Sequence, residues 1–154
     1  EKYIMVSINH MKLAIAEARE ASQMGEVPVG AVIVNSVNGA VLSSHGNRVE
    51  SYKDPTAHAE ILALREAARL MQTPRLKNCD IYVTLEPCAM CAKAISLARI
   101  RRLYFATEDR KGGGVENGSR VFSHKSCNHK PEIYVGIREE ESQDLLRKFF
   151  KERR

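Results

Sequence analysis

Two motifs constrain this chain more than anything else in it: His58-Ala59-Glu60, and the later Pro87-Cys88-Ala89-Met90-Cys91. Between them they supply one imidazole, two thiols and one carboxylate, and each sits where a helix should begin. Pro87 suits the first position of a helix, because its missing N–H would be unsatisfied there anyway. Cys88 and Cys91 are three apart, which puts both sulfurs on one face of the first turn. A helix N-terminus favours the thiolate over the thiol. His58 begins the other helix in the same way, and both helices follow strand or loop segments. A fold that uses these residues together must bring two helix N-termini to one edge of a sheet, where α/β proteins bind ligands.

The residue types point to a metal. Zinc takes four ligands, and a catalytic zinc keeps one position open for water. His58, Cys88 and Cys91 supply three, and the two thiolates balance the charge of Zn²⁺. Glu60 is too near His58 in sequence to be an obvious fourth ligand, but it can reach the metal's water and move its proton. Singly, each group is ambiguous. The cysteines alone fit a redox pair or half of a structural zinc site, His58 alone a satisfied histidine, and Glu60 alone a solvated helix residue. Four suitable groups at two helix starts instead describe one catalytic zinc per chain. Retention of a carboxylate free of the metal argues against a purely structural site.

A chain of 154 residues is expected to form one domain with a real core. With 44% hydrophobic residues and no long uncharged apolar run, a membrane span is not expected. The first apolar stretch is soon broken by His10, Lys12 and Glu17, unlike a signal peptide. Four cysteines in such a chain suit a reducing, cytoplasmic setting, where thiols bind metal more often than they pair. A net charge of +5 is compatible with a polyanionic partner without selecting one. His124, Cys127 and His129 crowd a loop-like stretch; with no fourth ligand evident, loop packing or an RNA contact is the ordinary reading. Cys79 reads as buried packing.

Apolar Ile8, Met11, Ile15 and Ala18 predict a helix over residues 7–24, with Ser7 as its N-cap and Gly25 as its stop. A β-branched strand follows over 29–34, then an Asn38-Gly39 hairpin turn and a strand over 40–42. A polar loop with Gly46, Asn47 and Asp54-Pro55-Thr56 leads to a helix over 57–72. Then come a strand (81–85), a helix (88–98), a strand (102–106), a flexible Gly112-Gly113-Gly114 loop, a strand (132–137) and a helix (140–153). About twenty-five residues separate the last two strands, enough for a parallel crossover. This order implies one α/β domain.

At these motifs the chain resembles the bacterial tRNA-specific adenosine deaminases of the cytidine-deaminase-like superfamily. The resemblance runs through Glu26-Val-Pro-Val-Gly-Ala-Val32, Gly46-Asn47-Arg48, Asp54-Pro-Thr-Ala-His-Ala-Glu60, Tyr82-Val-Thr-Leu-Glu-Pro-Cys-Ala-Met-Cys91 and Phe149-Phe150-Lys-Glu-Arg-Arg154. The zinc motif is shared by several nucleobase deaminases; the flanking segments point to the tRNA branch. The resemblance implies a three-layer α/β/α fold around a mixed five-stranded sheet, with His58, Cys88 and Cys91 on zinc and Glu60 as proton shuttle. It further implies Asn47 and the Ala59 N–H on the purine, Val29 lining the pocket, Asp109 and Lys111 on the RNA backbone, and Phe149 with the basic residues after it on an anticodon stem-loop. It implies a homodimer. The loop at 112–118 and the stretch Asn128-His129-Lys130 look family-variable, so RNA contacts there carry over less directly.

The implied reaction is hydrolysis of adenosine to inosine at the wobble position by zinc-activated water. Arg99, Arg101 and Arg102 form one basic cluster, readable equally as phosphate contacts or a solvated face. Arg147, Lys148, Lys151, Arg153 and Arg154 form another, where Phe149 and Phe150 favour RNA, although at least one ring is expected in the core. A deaminase of free bases or nucleosides, and a non-catalytic RNA-binding zinc module, remain as competing readings.

Overall fold

The computed structural model describes residues 2–153. In chain order the elements are α1 (Lys2–Gln23), β1 (Gly30–Asn35), β2 (Val41–Gly46), α2 (Val49–Tyr52), α3 (Ala59–Met71), β3 (Cys79–Leu85), α4 (Ala89–Leu97), β4 (Arg102–Thr107), a 3₁₀ turn (Val121–Ser123), β5 (Glu132–Val135) and α5 (Glu139–Glu152). Alternation along the strands builds two cores. Ala31 and Ile33, Ile81 and Val83, and Leu103 and Phe105 face one side, where they pack on Ala63 and Ala67 of α3 and on Ala92 and Ile95 of α4. Their neighbours Val32, Val34, Tyr82, Tyr104 and Ala106 face the other side, under Met11, Ala14 and Ile15 of α1 and Leu145 of α5. The result is the expected three-layer α/β/α arrangement.

The sheet runs β2-β1-β3-β4-β5. β1 is antiparallel to β2 and β3, whereas β3, β4 and β5 are mutually parallel. It is the mixed five-stranded sheet that was expected, and the long connection before β5 does make a parallel crossover. Register places Tyr82, Tyr104 and Tyr134 side by side, and their rings stack at 4.4 and 5.0 Å. None of the described helices is long and apolar enough to cross a membrane.

Several local expectations are corrected. Helix α1 starts five residues before Ser7, since nothing in Ile4-Met5-Val6 breaks it; Ser7 is buried and pairs with the Tyr82 hydroxyl at 3.2 Å instead of capping. Gly25 does stop α1: Glu26 N–H bonds to Ala21 O (2.9 Å) and Gly25 N–H to Ser22 O (3.1 Å), the paired bonds of a Schellman motif. The β1–β2 connection is a four-residue loop closed by Asn35 N–H to Ala40 O at 2.8 Å. Asn38 keeps a negative φ, so Asn38-Gly39 is not a two-residue type I′ turn. Strand β2 extends to Gly46 because pairing with β1 recruits polar Ser43, Ser44 and His45. The "loop" after it contains α2, whose N-terminal amides are satisfied from far away, as described next.

Candidate active site

Helices α3 and α4 start at the same end of the sheet. His58 is the N-cap of α3 and Cys88 the N-cap of α4, both with extended backbone. Pro87 therefore lies one residue before the cap rather than at the first helical position, and Cys91 sits in the first turn. His58 Nδ1 lies 3.7 Å from Cys88 Sγ and 3.6 Å from Cys91 Sγ. All three donor atoms lie within 4.8 Å of one another. Tetrahedral zinc with its usual bond lengths separates an N and an S ligand by about 3.6 Å, so the donors stand at the spacing such an ion requires. The set also has the right chemistry: one neutral nitrogen and two sulfurs. Cys91 is fully buried, while His58 and Cys88 border a cavity of about 600 Å³.

The two thiols behave as a pair. The hydrogen bond from Cys91 pulls the Cys88 thiol down to about 4, with burial opposing and His58 assisting. The same bond and burial push Cys91 up, and Cys88 raises His58. Capture of a metal by such a pair releases the proton they share.

Glu60 enters the same cavity from the first turn of α3 and is only 4% exposed. Burial, above all, pushes its carboxyl above the usual value; its own backbone N–H works the other way. A carboxyl whose proton affinity is raised by burial, beside the three donor atoms, is placed for general acid–base work.

A family model described as the zinc-binding region of cytidine and deoxycytidylate deaminases matches residues 6–107. The tRNA-specific adenosine deaminase of Agrobacterium fabrum is 52% identical over 144 residues, 94% of this chain and 93% of that protein. Its counterpart from Rickettsia typhi is 46% identical over 144 residues, 94% of this chain and 97% of that protein. The chain belongs to the tRNA-specific adenosine deaminase family. A solved structure from a study of A-to-I editing by tRNA:A34 deaminases at the wobble position of transfer RNA matches this deaminase with a TM-score of 0.87. Identity there is 51%, covering 90% of this chain and 99% of that one.

Of the residues the deaminase motifs nominate, Val29, Asn47, His58, Glu60, Cys88 and Phe149 all line the one cavity. The Ala59 N–H, nominated for the purine, donates to Asn47 Oδ1 at 2.9 Å and so orients that amide. Phe149 is the ring that packs inward, 6% exposed against 50% for Phe150. Arg153 lies 4.1 Å over the Phe149 ring and donates to Gly25 O at 3.1 Å, so it closes the cavity rim. Asp109 and Lys111 do not line the cavity; they lie on the loop after β4, joined to it through Glu86, which accepts the Asp109 N–H. Asp109 Oδ1 accepts the Lys111 and Gly112 N–H groups, and Lys111 is exposed.

The other candidates separate. His124 Nε2 meets Ser119 O, His129 Nε2 meets Ile100 O, and Cys127 Sγ donates to His129 O. These three are engaged in loop packing, and no second metal cluster appears among the described residues. Cys79 is buried as expected. In the first basic cluster, Arg101 makes a bidentate pair with Asp80 (2.9 and 2.7 Å), and Arg102 pairs with Glu132 at 2.8 Å. Arg147 pairs with Asp144 at 3.2 Å, Lys148 and Lys151 are exposed on α5, and Arg154 lies outside the described residues.

Sequence reading assigned no role to two buried carboxylates on this cavity. Glu26 accepts the Glu50 and Ser51 N–H groups (2.9 and 3.0 Å) and the Ser51 hydroxyl (2.8 Å), which caps α2 from a distance. Glu86, directly before Pro87, accepts five hydrogen bonds from residues 109–117. The available signal was an acid at a strand end next to the thiol motif, but its partners are too distant in sequence to be read locally.

Proposed function

We propose that this chain hydrolyses adenosine to inosine and ammonia at the wobble position of a tRNA anticodon, as a homodimer with one zinc in each subunit. One observation carries the chemistry: three donors at tetrahedral zinc spacing share a cavity with Glu60, a buried carboxylate of raised proton affinity. The tRNA substrate is supported by relatives that match along nearly the whole chain.

His58, Cys88 and Cys91 would hold the zinc, which would supply a lowered pKa of water and so a nucleophile near neutral pH. Glu60 takes the proton of the attacking water, places it on ring nitrogen N1, and delivers a later proton to the departing amine. Asn47, oriented by the Ala59 N–H, presents its Nδ2 donor to the purine. Val29 supplies an apolar wall, and Phe149 a wall at the mouth, held by Arg153. The cavity must receive an extruded base, and an unpaired anticodon nucleotide reduces the cost of extrusion below the few kcal/mol of a duplex. Asp109 and Lys111 position the RNA backbone, with Lys148 and Lys151 available to phosphates. Met90 and Leu97, exposed on α4 and seven residues apart, offer an apolar stripe for the second copy.

The test is an inosine assay on zinc-loaded protein, using an anticodon stem-loop with adenosine at the wobble position and, in parallel, free adenosine, cytidine and guanine. Inosine in the RNA alone, with activity falling steeply as salt rises, is the expected outcome. Salt-insensitive turnover of a free base or nucleoside alone would discard the RNA substrate and keep the zinc chemistry.

A further inference from the structure

We infer that Glu86 is a positioning residue for this reaction: it fixes the segment bearing Asp109 and Lys111 against the start of the metal-binding helix α4. The inference rests on the function proposed above. Glu86 is 3% exposed, and an ionised carboxylate is costly to bury unless its lone pairs are filled. Here they are filled. Oε1 accepts Asp109 N–H at 3.1 Å and Asn117 Nδ2–H at 2.7 Å. Oε2 accepts Val115, Glu116 and Asn117 N–H at 3.0, 3.0 and 3.1 Å. A carboxylate so saturated has no free site for a substrate proton, which leaves geometry as its contribution.

The geometry is tight. A Cβ on Gly113 would lie 2.3 Å from Glu86 Oε2 and 2.5 Å from Asp109 O, so only glycine lets the chain pass this close. Gly114 then donates to Pro87 O at 2.8 Å, which lays the segment along the residues that lead into Cys88. At its other end, Asp109 is held by Glu86 through its amide and turns its own carboxylate back onto the Lys111 and Gly112 amides. The side chains of Arg110 and Lys111 are exposed on this segment, which Glu86 ties to the cavity it helps to line. These cations suit the phosphates that flank an inserted nucleotide. Glutamine cannot replace Glu86 here. Either orientation of its amide turns an NH₂ group toward donors: two on the Oε1 side or three on the Oε2 side.

Zinc-loaded wild type, Glu86→Gln and Asn117→Ala would be compared for kcat and KM on the anticodon stem-loop, for zinc stoichiometry, and for amide exchange across residues 109–117. Glu86→Gln is expected to keep its zinc and exchange faster in that segment. Its KM should rise about tenfold or more, with kcat much less affected. Asn117→Ala removes one of the five bonds, so it should move KM the same way by less, and it carries the test alone if Glu86→Gln does not fold. Loss of zinc, or a fall in kcat at unchanged KM, would overturn the inference and make Glu86 a support of the metal site. Unchanged constants despite faster exchange would overturn it too. If wild type acts only on free nucleosides, the RNA reading fails separately, and amide exchange across 109–117 left unchanged by Glu86→Gln would then overturn the positioning role as well.

Discussion

Glu60 and Glu86 border the same cavity, both almost wholly buried, yet the protein treats their protons in opposite ways. Burial pushes Glu60 up, and the groups that reach its carboxyl are its own N–H and the Cys91 thiol. Burial would also raise Glu86, but the Asn117 side chain and the amides of Asp109, Val115 and Asn117 outweigh it and hold the carboxyl below the usual range. Glu26 resembles Glu86: the amides of Glu50 and Ser51 overcome its burial and lower it. The lesson is that depth alone does not assign a role to a buried acid. A carboxylate with its lone pairs filled is an anchor, and one left sparsely bonded can carry a proton.

The largest expected effect tests the sparsely bonded side. Glu60→Gln should cost about 10²–10⁴-fold in turnover, as loss of a general acid–base does, while one zinc per chain is retained. Turnover that survives this change would remove Glu60 from the mechanism. Next comes the anchored side. Glu86→Gln should lower unfolding free energy by about 2 kcal/mol near neutral pH, read from urea midpoints, because charge-assisted bonds are lost from a buried site. That difference should depend on pH in one direction. Since the folded state depresses the Glu86 pKa, its stabilisation is fully present above the unfolded value of about 4.3 and is lost as pH falls through the lower folded value. The gap between wild type and Glu86→Gln should therefore narrow in acid; a gap that widens there would contradict the anchoring role. Smallest is Asn117→Ala, which removes one of the five bonds to Glu86 and leaves its charge in place. A loss of about 1 kcal/mol, with faster amide exchange at Val115–Asn117, would show that a single bond weakens the anchor without releasing it.

The metal centre was legible because its parts are local. His58, Cys88 and Cys91 announce themselves by residue type and spacing, and a helix start fixes where the donor atoms point. The strand faces were legible for the same reason, since alternation sorts Ile33 from Val34 without knowledge of a partner. What was missed depended on partners. Ser7 looked like a cap but lies within α1, against Tyr82. Helix α2 looked like loop because its cap is the Glu26 carboxylate, 24 and 25 residues away. Arg101 looked like part of a basic patch until Asp80 neutralised it.

The sequence by itself therefore determined the candidate donors for the metal, the helices that present them, the two faces of the sheet and the family. Only the tertiary structure decided that the Glu26 and Glu86 carboxylates are filled by distant amides, that Arg101 and Arg102 are paired with acids, and which ring, Phe149 or Phe150, borders the cavity. The physical reason is range. Backbone preference and side-chain alternation act between near neighbours, whereas proton affinity and ion pairing depend on donors and charges that only folding brings within about 3 Å.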